Sequence, residues 1–373
     1  MRIKIAYDPQ IFSFQVYGGI SRYICEIASN ISQANVANVK IVAPFSVCNY
    51  LENVDRAMVI GFRAPKFKPL KFFFRLCSMA FGHIYLLVLN PKVIHETYFF
   101  PYALGPKKSK RVLTVHDMIH EKFFGTNDSW DKASKYKAIA VHRADHIICV
   151  SEMTKSDLIE HFRVDSQKIS VIHHGYSLYK ESPIKAPSVD LHLPAQFLLY
   201  VGYRGGYKNF KKFAGAYALS KDIYSDFDIV CFGGEEFNPN ELEIYSQFGI
   251  PPGKMTQFSG GDEVLFYLYQ HASALIFPSL YEGFGLPPLE AMGNDCVVIC
   301  SNAGPIREVV NGAGEYFDPN NVGDIKRAME KVLFQPARQE ELKALGRLRI
   351  KQFSWERCAE ETLRIYERLA ASN

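Results

Sequence analysis

The sequence predicts an α/β chain made of two doubly wound parallel sheets. Three observations carry that expectation. Short apolar runs alternate with longer amphipathic stretches along all 373 residues. The alternation breaks once, at the polar, proline-bearing segment YKESPIKAPSVDLHLP, and then restarts. The composition, 48% hydrophobic and 22% charged, belongs to a chain that buries sizeable cores, and the length suits two or three domains.

In the first half, IKIAY reads as a strand and GGISRYICEIASNIS as the helix after it. VKIVAP, KVIHET, RVLTVHD, HIICVSE and ISVIHHG read as further strands, with WDKASKYKAIAVHRA and TKSDLIEHFR as helices between them. In the second half, QFLLYVGY, FDIVCFGG, MTQFSG, ASALIFPS and CVVICSN repeat the strand pattern. SWERCAEETLRIYERLAAS is a terminal amphipathic helix. The expected domains are 1–183, 184–353 and the terminal helix 354–373.

KFFFRLCSMAFGHIYLLVLNPK has two readings. One is a core helix of the first domain with a solvated basic face. The other is a basic-aromatic surface around 62–75, with Arg63, Lys66, Lys68 and Lys71, that rests on an anionic membrane. Arg75 and His83 interrupt it, which argues against a spanning helix. The eight cysteines lie in apolar segments without metal spacing, as reduced thiols of a cytosolic protein would. MRIKIAYDPQ reads as a charged strand and not a signal peptide. A net charge of +4 is no footprint for a polyanion, so no nucleic-acid partner is expected.

Ligands of doubly wound sheets bind beyond the carboxyl ends of the strands, so the residues just after strands are the candidates. Gly18 and Gly19 open a helix and leave backbone amides accessible to a phosphate. His116 and Asp117 end a buried strand, where a polar pair is costly unless used or satisfied. Arg204 and Lys208 lie four apart across glycines and suit a diphosphate leaving group. In YEGFGLPPLE, Gly283 and Gly285 bare a loop, and Pro287 and Pro288 suit the first turn of a helix. Glu282 and Glu290 could then grip two polyols, a ribose and a hexose, with phosphates on the amides between them. No G-x-G-x-x-G or P-loop is present.

These motifs resemble glycosyltransferase family 4. The match is Glu282-x7-Glu290 within FPSLYEGFGLPPLEAM, with VGYRGGYKNF, YGGISRY, TVHD, VSEMTKSDL and SNAGPIREVV in the family's order. The resemblance implies the GT-B fold, two facing Rossmann-like domains with the terminal helix crossing back to the first, and transfer with retention. It implies that Glu290 holds the ribose and that Glu282 contacts the donor sugar. Phe284, Gly285 and Leu286 would present amides. Arg204 and Lys208 would neutralise the diphosphate, with Gly19 approaching it from the first domain. His116 would lie near the reacting carbon, and Phe258, Ser259 and Gly260 would meet the base. His174 departs from the pattern, standing where Asn is usual.

The expected reaction moves a hexosyl unit from a nucleotide-sugar to a saccharide or lipid-linked oligosaccharide acceptor in surface polysaccharide synthesis. GDP-mannose is the expected donor, because the loops look like those of bacterial polysaccharide mannosyl- or rhamnosyltransferases. The alternatives are a UDP-sugar-dependent transferase of glucose, N-acetylhexosamine or rhamnose, and a non-catalytic sugar-nucleotide-binding homologue. A glycosidase pair would need an acid and a nucleophile flanking the bond, which Glu282 and Glu290 do not suit. No cofactor or metal is expected, since the D-x-D at Asp226 and Asp228 precedes its strand. The expected location is the cytoplasm, peripheral on the inner face of its membrane.

Overall fold

The computed structural model describes residues 2–64, 70–123, 129–176 and 191–372. The chain divides into two compact units, Met1–Gly175 with Ser354–Asn373, and Tyr176–Phe353. The boundary expected between 183 and 184 lies outside the described residues.

In the first unit, strands β1 (Ile3–Tyr7), β2 (Ala37–Ser46), β3 (Val59–Arg63), β4 (Val93–Glu96), β5 (Lys110–Val115), β6 (His146–Cys149) and β7 (Ile169–Val171) form one sheet. Its order is β3-β2-β1-β4-β5-β6-β7, and every pairing is parallel. Helices α1 (Gly19–Gln33), α2 (Lys71–Leu89), α3 (Ile119–Phe123), α4 (Ser129–Arg143) and α5 (Glu152–Phe162) lie between the strands. The order reverses between β1 and β4. Parallel strands need crossovers, so their carboxyl ends, and the loops that follow, gather at one edge.

The second unit repeats the plan. β8 (Phe197–Val201), α6 (Phe210–Leu219), α7 (Lys221–Asp226), β9 (Asp228–Phe232), α8 (Pro239–Gln247), β10 (Met255–Phe258), α9 (Asp262–His271), β11 (Ala274–Phe277), α10 (Leu286–Gly293), β12 (Val298–Ser301), α11 (Pro305–Val310), β13 (Glu315–Phe317), α12 (Val322–Leu333) and α13 (Pro336–Arg349) follow in turn. The sheet order is β10-β9-β8-β11-β12-β13, all parallel, and it reverses between β8 and β11.

The terminal helix α14 (Trp355–Ala371) completes the first unit. Ser354 Oγ accepts the Arg357 amide at 3.1 Å as its cap. Trp355, Cys358, Ala359, Leu363, Ile365 and Tyr366 enter the core with Tyr7, Tyr23, Ile24 and Ile27. At Gly175 a Cβ would stand 2.2 Å from the Trp355 backbone nitrogen, so only glycine lets the chain pass that close to the helix start. Inside this core the Tyr366 hydroxyl meets His95 Nδ1 at 2.5 Å and Tyr7 at 3.2 Å. His95 Nε2 meets Thr114 at 3.0 Å, and Thr114 meets Tyr23 at 3.1 Å. The chain of buried polar groups is thereby satisfied from β1, β4, β5, α1 and α14 together.

α2 joins the core along one narrow face, where Met79 and Leu86 pack with Ala6, Val42, Ile94 and Leu104, but the rest of it is less buried than the core-helix reading of its sequence expects. Within Phe72–Leu89 only Ser78, Met79, Gly82 and Leu86 are buried. The seat is close: a Cβ on Gly82 would come within 2.5 Å of Pro9. The Lys66 and Lys68 of the basic-aromatic reading lie outside the described residues.

Tyr366→Phe removes the hydroxyl that satisfies His95 Nδ1. It should cost the first unit about 1–3 kcal/mol, the penalty of one unpaired buried polar group. Both tryptophans, Trp130 and Trp355, belong to this unit, so urea unfolding followed by indole fluorescence reads it directly.

Candidate active site

In the second unit, the loops after β8 and β11 border the point where strand order reverses. They are tied together. The Leu280 amide donates to the Tyr207 carbonyl at 2.8 Å. Asn209 Nδ2 donates to the Pro278 carbonyl at 3.0 Å, from a left-handed backbone (φ 60°) at the start of α6. Lys208 Nζ meets Glu282 Oε1 at 2.7 Å. Both charged ends are mostly shielded, with side-chain exposures of 17% and 11%. Nζ also lies 5.7 Å from the centroid of the Phe277 ring, at the end of β11.

Gly285 precedes α10 with φ 110°, a conformation that glycine alone adopts readily. The first N–H groups of a helix have no partner within it. Pro287 and Pro288 have none to offer, so the amide surface at this terminus is confined to Phe284, Gly285 and Leu286, with Leu289 behind them. Glu290 is buried one turn into the helix, where its Oε2 accepts the Tyr269 hydroxyl at 3.3 Å. Ser279, next to β11, keeps a buried hydroxyl without a partner.

Arg204, expected to clamp a diphosphate, is held by groups of the protein. Its Nε and Nη2 hold Glu241 at 3.0 and 3.2 Å, Nη2 also donates to the Glu235 carbonyl at 2.6 Å, and the guanidinium lies 4.1 Å over Phe237. Glu241 is also the capping-box residue of α8. The cation is thus neutralised within the protein. Only Nη1 is left, buried without an acceptor and 3.5 Å from where a Cβ on Gly234 would stand. The structure brings Lys208 and Glu282 together but turns Arg204 toward the β9–α8 loop.

Phe258 ends β10, two strands from the reversal, and Ser259 and Gly260 follow it. The Phe258 carbonyl accepts the Gly233 amide at 3.1 Å, and Ser259 accepts Gln257 Nε2 at 2.8 Å. Asp228 begins β9 and pairs with Lys254 at 2.9 Å. Among the described residues no group of three or more His, Cys, Asp or Glu side chains could hold a metal ion.

In the first unit, Gly18 and Gly19 open α1, and Gln15 Oε1 accepts the Ser21 amide at 2.9 Å. His116 follows β5. Its ring stacks on His174 at 5.5 Å, and Tyr23 meets its edge at 5.0 Å. Burial first, and then the Lys137 cation, push His116 down to about 4, while Asp117 opposes them. Both imidazoles are therefore neutral at pH 7. Asp117 Oδ1 accepts the Ile119 amide at 3.1 Å. The motif readings did not single out Lys137. Its buried ammonium donates to the Asp117 carbonyl at 3.0 Å and to Glu121 Oε2 at 2.7 Å, which fixes the His116–Asp117 turn.

The family model described as Glycosyltransferase Family 4 matches residues 17–179, and that described as Glycosyl transferases group 1 matches residues 186–349. The O-antigen chain mannosyltransferase B of Escherichia coli is 32% identical over 284 residues, covering 73% of each chain. The chain belongs to glycosyltransferase family 4. The serotype-specific mannosyltransferase WbdA of Escherichia coli is 28% identical over 281 residues, 71% of this chain and 34% of that protein, so the chain spans about a third of that relative's length. Among solved structures, sucrose-phosphate synthase from Thermosynechococcus elongatus has a TM-score of 0.75 at 18% identity over 100% of both chains. WaaG, a glycosyltransferase involved in lipopolysaccharide biosynthesis, has a TM-score of 0.72 at 14% identity over 98% of this chain and 99% of its own. These likenesses establish the fold as GT-B.

Two predictions follow from the charges. Arg204→Ala should destabilise the second unit by about 1–3 kcal/mol, because it strips Glu241 and the Glu235 carbonyl of a partner; calorimetric melting of the second unit reads it. The second concerns acid. Burial pushes His95 down to about 3 and His146 to about 4, and holds His174 well below its usual value, alongside His116. The unfolded chain takes up protons on histidine below about pH 6.5, whereas the folded unit withholds them until far lower. Stability of the first unit therefore falls as pH drops from 6.5 toward 4, by at most about 1.4 kcal/mol per pH unit for each histidine. Asp8, raised to about 6 by burial and then by Glu96, works in the opposite sense, as one group against four. Urea midpoints by indole fluorescence should be lower at pH 5 than at pH 7.

Proposed function

We propose that the chain is a retaining, metal-independent glycosyltransferase that moves mannose from GDP-mannose to a saccharide or lipid-linked oligosaccharide acceptor in surface polysaccharide synthesis. The observation that carries this reading is the Lys208–Glu282 pair, held between the two loops at the strand reversal beside the start of α10. A carboxylate, an ammonium and a helix N-terminus at one edge suit a sugar, a diphosphate and its developing charge. The relatives' names as mannosyltransferases support the choice of sugar.

In this reading Glu290 accepts the ribose hydroxyls, and its bond from Tyr269 keeps the carboxylate oriented. Lys208 supplies the cation for the diphosphate, with Arg204 Nη1 and the amides of Phe284, Gly285 and Leu286. Glu282 is shared between Lys208 and the hydroxyls of the donor sugar. Phe258, Ser259 and Gly260 meet the base, with Gly283 leaving room for the backbone. The bond from the anomeric carbon to the phosphate oxygen breaks, and a bond to the acceptor oxygen forms on the same face. The acceptor's proton passes to the departing phosphate, so no protein nucleophile takes part. His116 of the first unit, neutral at pH 7, would act as a hydrogen-bonding group, not a charge.

Titration calorimetry with GDP-mannose, UDP-glucose and the free diphosphates tests the reading, with labelled transfer to a lipid-linked oligosaccharide as the second arm. Glu290→Ala should weaken nucleotide binding by about 1.5–3 kcal/mol, the worth of hydrogen bonds to a charged group. Lys208→Ala should lower turnover by about 2–4 kcal/mol of barrier. Absence of heat with every nucleotide diphosphate would overturn the reading.

A further inference from the structure

We propose that α2, with the aromatic pocket beside its first turns, is a docking site for an anionic lipid bilayer, and that the pocket admits the hydrocarbon chain of a phosphate-bearing lipid. This deepens the proposed function, since it gives the lipid part of an acceptor a place in the first unit.

α2 is apolar over most of its circumference. At about 100° per residue, the four buried positions fall within roughly 100° of arc, while Phe72, Phe73, Leu76, Phe81, Ile84, Tyr85, Leu87 and Val88 fan over roughly 220°. All eight are exposed, Phe72 at 73% and Val88 at 77%. A helix apolar almost all round belongs inside a core or in lipid. A flat protein partner covers one face of such a helix; immersion in a bilayer surface covers the whole fan.

The charges favour the same occupant. From Arg56 to His95 the sequence carries seven lysines and arginines and no aspartate or glutamate, and one of the seven, Arg63, is paired with Glu52. Anionic headgroups complement that segment.

The pocket adds specificity. It has a volume of about 320 Å³ and is lined by Phe14, Val16, Phe45, Phe72 and Phe74 with Arg75 among them. The Arg75 guanidinium lies 5.0 Å over the Phe14 ring. An apolar chamber with one guanidinium suits a hydrocarbon chain next to a phosphate. Its walls lie at the carboxyl edge of the first sheet. Phe14 and Val16 belong to the loop after β1 that carries Gly18 and Gly19, and Phe72–Arg75 begin the crossover after β3, at the carboxyl edge of the sheet.

Co-sedimentation of the full chain with vesicles tests this. The chain should sediment with phosphatidylethanolamine–phosphatidylglycerol vesicles and much less with phosphatidylcholine alone. Ile84→Glu with Val88→Glu, both on the exposed fan, should leave the melting curve unchanged and weaken vesicle binding at least about tenfold. Arg75→Ala should reduce the preference for the anionic vesicles. A Val16→Trp indole should be quenched by lipids brominated along the acyl chain more strongly than Trp355 is in the parent chain. A chain that stays in the supernatant with both vesicle types overturns the inference. So does an Ile84→Glu/Val88→Glu variant that turns a dimer into a monomer while vesicle binding is unchanged, because a second copy then covers the face. Nucleotide titration on the same preparations reads the transfer reading separately.

Discussion

The ion pair of Lys208 and Glu282 joins two loops that the reversal of strand order would otherwise leave to diverge. Crossovers from β8 and from β11 run to opposite sides of the second sheet, so a gap opens between them at the carboxyl edge. Lys208–Glu282, Asn209 to the Pro278 carbonyl, and Leu280 to the Tyr207 carbonyl span that gap. A shielded charge pair of this kind is poor at stabilising a fold but well placed to exchange partners. In the proposed reaction a diphosphate takes the ammonium and sugar hydroxyls take the carboxylate, so neither charge becomes unpaired.

Arg204 shows the complementary use of charge. Glu241, the cap of α8 and Phe237 hold it in place, and it in turn holds the β8 and β9 loops together. Lys208 and Arg204 are four residues apart, yet one faces the neighbouring strand-end loop and the other a helix start. In the first unit Lys137 plays a similar part beneath His116 and Asp117: its buried cation discourages protonation of the ring above it.

Much of the architecture was legible in the sequence because buried parallel strands are near-continuous apolar runs. β3 and β13 escaped that test. Both are edge strands; β3 is only half-buried, and β13 is three residues long with Glu315 held by Lys331 and Arg338. The placement of Glu282 before α10 and Glu290 inside it could be read from the glycine and proline punctuation around them. The partner of Arg204 could not. Asn238 and Glu241 announce a helix start, but nothing local says that a carboxylate 37 positions away will claim the guanidinium. Lys137 and Glu121 lie in helical stretches where a charge ordinarily reads as solvated. α2 left two readings open because periodicity reports which residues are apolar, not whether anything packs on them.

The return of α14 to the first unit has a consequence for synthesis. That lobe is discontinuous: its sheet emerges early from the ribosome, but the tyrosine that satisfies His95 and the tryptophan beside Gly175 arrive after the second lobe has been translated. The earlier lobe must wait with an open seam, while the later one, contiguous in the chain, can fold without delay. Emergence of α14, after the second unit, thus zips the first unit shut.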